Sequence, residues 1–479
     1  MTMMETNRRM IWKKCSRGNV EAWDLYLNIK HDNLFSFIFE NTGNGRYSYV
    51  SCTNREILRI DKDEKEDPME MIRKWLINEE YKNLKGVPEN FPEWTGGAAG
   101  YFSYDFIRFY ESIPLHAEDD LGLPYVYMMK VEEVFAFDMY ENQVYFIVNY
   151  GEGCKIKNSE EANWRVLEME QVLKGCTPGI PRSNSYLHKK GNEEFSFSLN
   201  QHEFKEAVRK IREYIAAGDV FQVNLSLRQN RTTFLTDEEI YHELRLLNPS
   251  PYMGLFHFPE FQLISASPEL LLRVKDGKVS TRPIAGTRKR GQNEQEDLEL
   301  ELELIETEKE NAEHIMLVDL ERNDLGKVCE FGSVKVDEWM VIEKYSHVMH
   351  LVSNVVGQLR EGFDGLDALM GVFPGGTITG APKIRTMEII EELEPLTRGP
   401  YTGSMGLLGF DGSGIFNIII RTLILQKNMA YVQAGAGIVI DSVPKAEYYE
   451  SLKKAEALWR AVSLGEEKLS LVEREESLE

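Results

Sequence analysis

The sequence predicts an α+β fold in which large, mainly antiparallel sheets are covered by helices. Three observations carry this expectation. Strand-like and helix-like stretches are mixed along the chain, without the strict β–α–β order of a parallel sheet. Hydrophobic residues make up 42% of the chain and aromatics 11%, enough for a substantial core. No internal repeat of solenoid length is present. At 479 residues the chain has room for one very large domain or for two to three ordinary ones.

The elements follow in order. Residues 1 to about 150 hold short β-rich runs. Among them "YVYMMKVEEVFAFDMY" and "NQVYFIVNY" read as paired strands joined at "ENQ". The stretch "GCTPGIPRSNSYLHKKGNEEFS" is rich in Pro, Gly, Ser and charge and reads as a linker. It divides the chain into an N-terminal region (1–176), a linker (177–198), a catalytic region (199–465) and a charged tail (466–479). After the linker, Phe204, Val208, Ile211 and Ile215 recur at helical spacing, and Gly218 stands where a helix C-cap belongs. "VFQVNLSLRQN", "FQLISASPELLLRV" and "IFNIIIRTLILQ" read as strands, and 297–320 and 366–373 as helices.

The charge balance excludes some classes of function. With 78 acids against 55 bases and a net charge of −23, a general nucleic-acid or anionic-membrane surface is not expected. No apolar run approaches the ~20 residues of a spanning helix, and the N-terminus lacks the apolar core of a secretory signal. The five cysteines are scattered and odd in number, with no CxxC. A reducing, cytoplasmic setting is expected.

Any anion site must then be a local concentration of positive charge. "TRPIAGTRKRG" packs Arg282, Arg288, Lys289 and Arg290 around Gly286 and Thr287, just before the acid-rich "EQEDLELELELIETEKENAEH". Two readings stand: an anion site beside a divalent-cation site, or an arginine-rich turn packed on a solvated acidic helix. The usual phosphate-binding motifs are absent: no GxGxxG follows a strand, and "GGTITGAPK" lacks Walker spacing. In the acidic run, Ala312, Ile315 and Met316 are expected to face inward, with Glu313 on their flank. Glu450 and Lys454 of "AEYYESLKKA" are i, i+4 neighbours. Two lone glutamates without soft ligands would suit Mg²⁺, and a surface salt bridge is the competing reading for Glu450. Arg421 interrupts an apolar run. Strand alternation would set it on one face with Asn417, Ile419 and Leu423, either ion-paired or holding an anion. His347 and His350 have no third zinc ligand nearby, which favours a core or substrate-contacting role.

Together "GDVFQVNLS", "NPSPYM", "ASPELL", "RPIAGTRKRG", "EKENAEHIMLVDLERNDLG", "KYSHVMHLVS", "FPGGTITGAPKIRTMEIIEELEP", "YTGSMG", "IIIRT", "QAGAGIVIDS" and "EYYESLKKA" resemble the chorismate-utilising enzymes. The likeness is to component I of aminodeoxychorismate synthase and of anthranilate synthase. It runs in the family's order from about residue 200 to 460 and extends weakly into the N-terminal region. It implies a large chorismate-binding-enzyme fold of stacked sheets flanked by helices, with the active site between the sheets. By this resemblance Glu313 and Glu450 would be Mg²⁺ ligands. Gly286, Thr287, Tyr401, Arg421, Gly435, Ala436, Gly437 and Lys454 would be substrate contacts. Glu269 would be the general acid that helps the hydroxyl leave, and His350 the active-site histidine. A tryptophan pocket would fall on Asn41, Tyr47, Pro251, Tyr252 and Met253.

The resemblance also bears on the nucleophile. Relatives that add water carry a lysine base where this chain has Gln222, which cannot deprotonate water. An aminating site is therefore expected, fed with ammonia by a separate glutamine amidotransferase subunit in a heterodimer. The product is contested. Ala285 stands where many aminodeoxychorismate synthases carry a nucleophilic lysine, which is the anthranilate-synthase pattern. "QVNLS", "FPGGTITGAPK" and Asn41 point to the aminodeoxychorismate branch, and thus to p-aminobenzoate and folate. That branch is the expected one. Anthranilate synthase component I and a non-catalytic tryptophan-binding subunit are the alternatives.

Overall fold

The computed structural model describes residues 4–5, 9–30, 35–40, 45–53, 56–77, 81, 87–88, 90–179, 181, 194–345 and 348–476. Two large sheets dominate the described residues, with thirteen and ten strands. The ladders that join them are antiparallel. The first sheet runs from Met10–Ser16 through Phe35–Glu40, Tyr252–His257, Gln262–Ser267 and Thr422–Gln426 to Met429–Ile438 and Gln222–Thr232. The second runs from Ile284–Lys289 through Val348–Gln358, Leu270–Lys275, Gly414–Ile418 and Ser404–Gly409 to Gly97–Phe102 and Ile57–Ile60. Aromatic and aliphatic side chains of both sheets fill the space between them. Two further cores lie on the outer faces under helices, giving helix–sheet–sheet–helix layers. This is the α+β class the sequence predicts. The regions on either side of the linker share both sheets: Phe35–Glu40 pairs with Tyr252–His257, and Gly97–Phe102 with Ser404–Gly409. Residues 180 and 182–193 of the linker lie outside the described residues.

The helix after the linker forms as its spacing predicts. Gln201–Ala217 starts on an Asn200–Glu203 capping box, buries Phe204, Val208 and Ile211, and ends at Gly218 with φ +85°. The second C-terminal helix, Gly365–Val372, also forms.

Three runs read as single strands are each two strands in different sheets. The first breaks at Glu132: Val126–Val131 joins the second sheet, and only Glu133–Asp138 pairs with Gln143–Asn149 as expected. "FQLISASPELLLRV" breaks at Pro268 and Glu269. "IFNIIIRTLILQ" breaks at 419–421. Asn417 and Arg421 therefore do not share a strand face as alternation had suggested. The acidic helix is also divided, into Glu294–Glu306 and Glu308–Gly326. Its expected inward face is corrected: Ala312 is exposed and Ile315 is 45% exposed. His314, Leu317, Val318, Glu321 and Leu325 are buried instead. No helix among the described residues is long and apolar enough to cross a membrane.

Candidate active site at the sheet crossings

Two of the broken runs cross between the sheets side by side. Gln262–Ser267 pairs with Thr422–Gln426 in the first sheet, and Leu270–Lys275 pairs with Gly414–Ile418 in the second. Both chains therefore change sheet at the same level, with Glu269 in one bend and Arg421 in the other. The bends are stitched together. The Ala266 N–H donates to the Arg421 carbonyl at 3.0 Å, and the Ile418 N–H to the Glu269 carbonyl at 3.0 Å. Arg421 has φ +48°, the left-handed region, which costs an L-residue roughly 1–2 kcal/mol. The ladders on both sides hold it there.

The two side chains are opposites in an apolar setting. Burial, above all, raises the Glu269 carboxyl to about 7, against the opposing pull of the Thr377 hydroxyl, Arg421 and Lys454. Burial lowers Arg421, and the Glu269 charge partly restores it. Among the described residues no carboxylate reaches ion-pairing distance of Arg421. The structural ion pair that would have made Arg421 unremarkable is thus not formed. A buried cation without a counter-ion is costly unless an anionic ligand completes it.

The glycine-rich strand forms the next wall. Met429–Ile438 runs antiparallel to Gln222–Thr232, with Ser226 opposite Gly435, Leu225 opposite Ala436 and Asn224 opposite Gly437. A Cβ at Gly437 would stand 2.2 Å from Gln222 Nε2, so only glycine lets that side chain lie across the strand. Gln222 Nε2 reaches Glu313 Oε1 at 3.5 Å. On the facing helix, Pro444–Glu476, Lys454 Nζ donates to the Gly435 carbonyl at 3.0 Å and pairs with Glu450 at 2.9 Å. Tyr401 is buried beneath this strand, where burial raises its hydroxyl and Arg398 opposes the shift. On the second sheet, Gly286 at φ +63° forms a bulge between Ala285 and Thr287. Thr287 Oγ1 and His350 Nδ1 are 2.9 Å apart. Burial lowers His350 to about 4, with Arg421 adding to the effect.

Glu313 and Glu450 offer hard carboxylate oxygens from two helices. Beside Glu313, the side-chain amide oxygen of Gln222 is buried without a hydrogen-bond partner. This oxygen-only donor set fits Mg²⁺, with waters or substrate oxygens filling the remaining positions. No group of three His, Cys, Asp or Glu able to hold a metal occurs among the described residues.

The basic turn does not serve an anion through its arginines. Arg288 pairs with Glu303 and Glu310, Arg290 with Asp297, and Arg282 with Glu338 and Glu343. They clamp the turn to its acidic neighbours, and what the turn leaves toward the site is the Gly286–Thr287 backbone. The residues linked to tryptophan lie around the Phe35–Glu40 and Tyr252–His257 strands. Pro251 and Tyr252 line a cavity of about 820 Å³ with Arg273, Lys278 and Arg282. Tyr47 packs between the sheets, Met253 on the outer face of the first sheet, and Asn41 lies outside the described residues.

Two buried polar groups escaped sequence reasoning. Glu394 and Arg398 form a fully buried pair at 2.7 Å, and Glu394 Oε1 accepts from the Ser226 N–H and hydroxyl, both at 2.8 Å. Arg398 lies against the Tyr401 ring. Its i, i+4 spacing from Glu394 was the available signal. The second group contains Glu321, Asp324 and Lys383.

A model described as chorismate binding enzyme matches residues 35–460. The chain is 47% identical over 406 residues to "Aminodeoxychorismate synthase component 1" of Bacillus subtilis, covering 85% of this chain and 84% of that one. It is 44% identical over 453 residues to "Anthranilate synthase component 1" of Thermus thermophilus, covering 92% and 95%. The structure of anthranilate synthase component I from Streptococcus pneumoniae aligns with TM-score 0.76 at 32% identity, covering 93% of this chain and 99% of the other. The isochorismate synthase MenF of Escherichia coli shares the fold, with TM-score 0.69 at 16% identity over 95% and 94%.

Proposed function

The chain belongs to the chorismate-binding enzyme family, and from that premise we propose that it is component I of an aminodeoxychorismate synthase. It would replace the 4-hydroxyl of chorismate with ammonia supplied by a glutamine amidotransferase subunit, in the cytoplasm, toward p-aminobenzoate and folate. The observation that carries this reading is the pair at the crossings: a buried cation with no protein counter-ion beside a carboxyl raised to about 7, so that a good part of it still carries its proton at neutral pH. Arg421 grips a substrate carboxylate. Glu269 gives its proton to the departing hydroxyl. Tyr401, Thr287 and the Gly435–Gly437 strand shape the pocket, and Lys454 is tied to its wall. Gln222 is no base, so the site favours ammonia over water. Mg²⁺ held by Glu313 and Glu450 would neutralise a second substrate carboxylate.

Arg421→Lys keeps the charge and loses the fork. It is expected to lower kcat/KM for chorismate at least about tenfold, roughly 1.4 kcal/mol. Unchanged kinetics with a lower Tm would return Arg421 to a structural role.

Anthranilate synthase component I is the second reading, and Ala285 favours it. This buried methyl leaves no amine to attack the ring at that position. The experiment that decides is incubation with chorismate, Mg²⁺ and ammonium, followed by mass spectrometry and fluorescence. The expected product retains pyruvate as 4-amino-4-deoxychorismate, and the intact protein mass shows no substrate adduct. Strong anthranilate fluorescence with pyruvate release would select the other branch.

A further inference from the structure

Two buried arginines border the pocket, and they are opposites. Arg421 has no carboxylate partner among the described residues, whereas Arg398 uses all five of its N–H groups inside the protein. Its Nε and Nη2 hold the two Glu394 oxygens at 2.9 and 2.7 Å. Nη2 also donates to the Asn224 carbonyl at 2.7 Å, and Nη1 to the Ile378 carbonyl at 2.9 Å and to Thr402 Oγ1 at 3.3 Å. The guanidinium carbon stands 5.0 Å from the centre of the Tyr104 ring and 5.6 Å from that of Tyr401. No donor is left over for a substrate, so what Arg398 does is hold parts of the protein together.

One of those parts is a strained turn. Thr402 has φ +61°, a left-handed conformation that a β-branched residue seldom adopts. Such backbone persists only where its surroundings over-determine it, and here they do. Thr402 Oγ1 donates to the Tyr401 carbonyl at 2.6 Å while accepting from Arg398. The Tyr401 N–H donates to the Arg398 carbonyl at 3.2 Å, and the Thr402 N–H to the Ile419 carbonyl at 2.8 Å. The last bond fixes the turn to the bend that carries Arg421. Removing the Arg398 fork frees the turn to relax toward an ordinary φ, and Tyr401 would move with it.

We propose that Arg398, with Glu394 as its counter-ion, is the positioning residue that holds Tyr401 in its working placement. The inference rests on the chorismate reading, in which Tyr401 borders the substrate. Arg398 acts through Tyr401 and does not touch substrate itself. Glu394 extends the clamp, because its Oε1 also accepts from the Ser226 N–H and hydroxyl, and Ser226 lies opposite Gly435 in the ladder. One buried pair thereby sets the aromatic wall of the pocket against its glycine wall.

The test is a kinetic cycle of Arg398→Lys and Tyr401→Phe, with chorismate, Mg²⁺ and ammonium, and with the Tm of each variant measured. Lysine keeps the charge beside Glu394 but cannot reach all of these partners at once. Alone, it is expected to lower kcat by roughly ten- to a hundredfold, with KM for chorismate within about twofold of the parent. Tyr401→Phe should lower kcat as well. Together the two should cost no more than about twofold beyond Tyr401→Phe alone, while the fall in Tm from Arg398→Lys is the same in both backgrounds. The rate loss would then pass through Tyr401 and not through the fold. Losses that multiply, an Arg398→Lys that lowers Tm but not kcat, or a Tyr401→Phe at the parent rate would each overturn the inference and leave the proposed activity standing. A parent that consumes no chorismate would overturn both. Should Arg398→Lys fail to fold, Thr402→Gly decides instead. Glycine adopts φ +61° without strain and removes the oxygen that Arg398 grips. A lower kcat without a lower Tm supports the clamp; an unchanged kcat, or a loss matched by a fall in Tm, overturns it.

Discussion

Glu269→Gln is expected to lose about two to four orders of magnitude in turnover while melting at a higher temperature than the parent at pH 8. Both effects have one cause. Glu269 is buried where its charge is unwelcome, which lifts its carboxyl from the ordinary carboxylate range to about 7. The elevation keeps a proton available at neutral pH, and glutamine has none to give. The sign of the stability effect follows from the same shift. A carboxyl raised on folding binds more protons in the folded state, so its contribution is fully present below the unfolded value and fades as pH rises through 7. Above that, the folded chain carries a buried charge at a cost on the order of 3 kcal/mol, which a neutral amide removes. Calorimetry at pH 5 and 8 beside single-turnover kinetics checks this. The Tm gain should appear at pH 8 and vanish at pH 5. Loss of activity with loss of stability at pH 8 would mean that Glu269 is a structural acid.

Glu313→Gln is expected to raise the Mg²⁺ concentration for half-maximal activity by more than about 100-fold without lowering Tm. Glu313 is half-buried, and its one described side-chain contact is a long 3.5 Å approach from Gln222. Its removal breaks little. The replacement keeps shape and hydrogen-bonding oxygen but lacks the charge a hard divalent cation requires. Titration of EDTA-treated protein with Mg²⁺ reads the effect. Full activity of Glu313→Gln in EDTA would remove Glu313 from any metal role. The Glu450 variant is a weaker probe, because that carboxylate is already paired with Lys454 near the surface.

Local rules were legible wherever one face met solvent. Phe204, Val208 and Ile211 announce their helix because the opposite face is polar, and Gly218 ends it because the chain must turn left-handed there. The crossings were not legible. In "IFNIIIRTLILQ" both halves are buried in sheets covered on both faces, so apolar continuity is the same whether the chain runs straight or changes sheet. Only Arg421 and Pro268 mark the bends, and a lone polar residue or proline does not announce a change of sheet. The acidic helix misled for the reverse reason. Its inward face carries His314, Glu321 and Asp324, so hydrophobic periodicity pointed to Ile315, which is half in water. Glu313, Gln222, Glu269 and Arg421 were found by motif. That Gln222 meets Glu313 beside Gly437, and that Glu269 and Arg421 share the paired bends, required three dimensions.

The sharing of both sheets has a consequence for how the chain is made. Strand Phe35–Glu40 finds its partner in Tyr252–His257, and Gly97–Phe102 in Ser404–Gly409. At roughly 5–20 residues per second of synthesis, the second of these strands waits about 15–60 s for the segment that covers it. During that interval "GAAGYF" and "FSFIFE" present open, apolar, uncharged-to-weakly-charged edges, the kind that template pairing with another nascent chain. Contacts this distant also slow the folding search itself. Production of the protein should therefore be limited by escape from aggregation during translation, and slower elongation or lower temperature would not help equally. Cooling weakens the apolar attraction between exposed edges, whereas slower elongation lengthens their exposure.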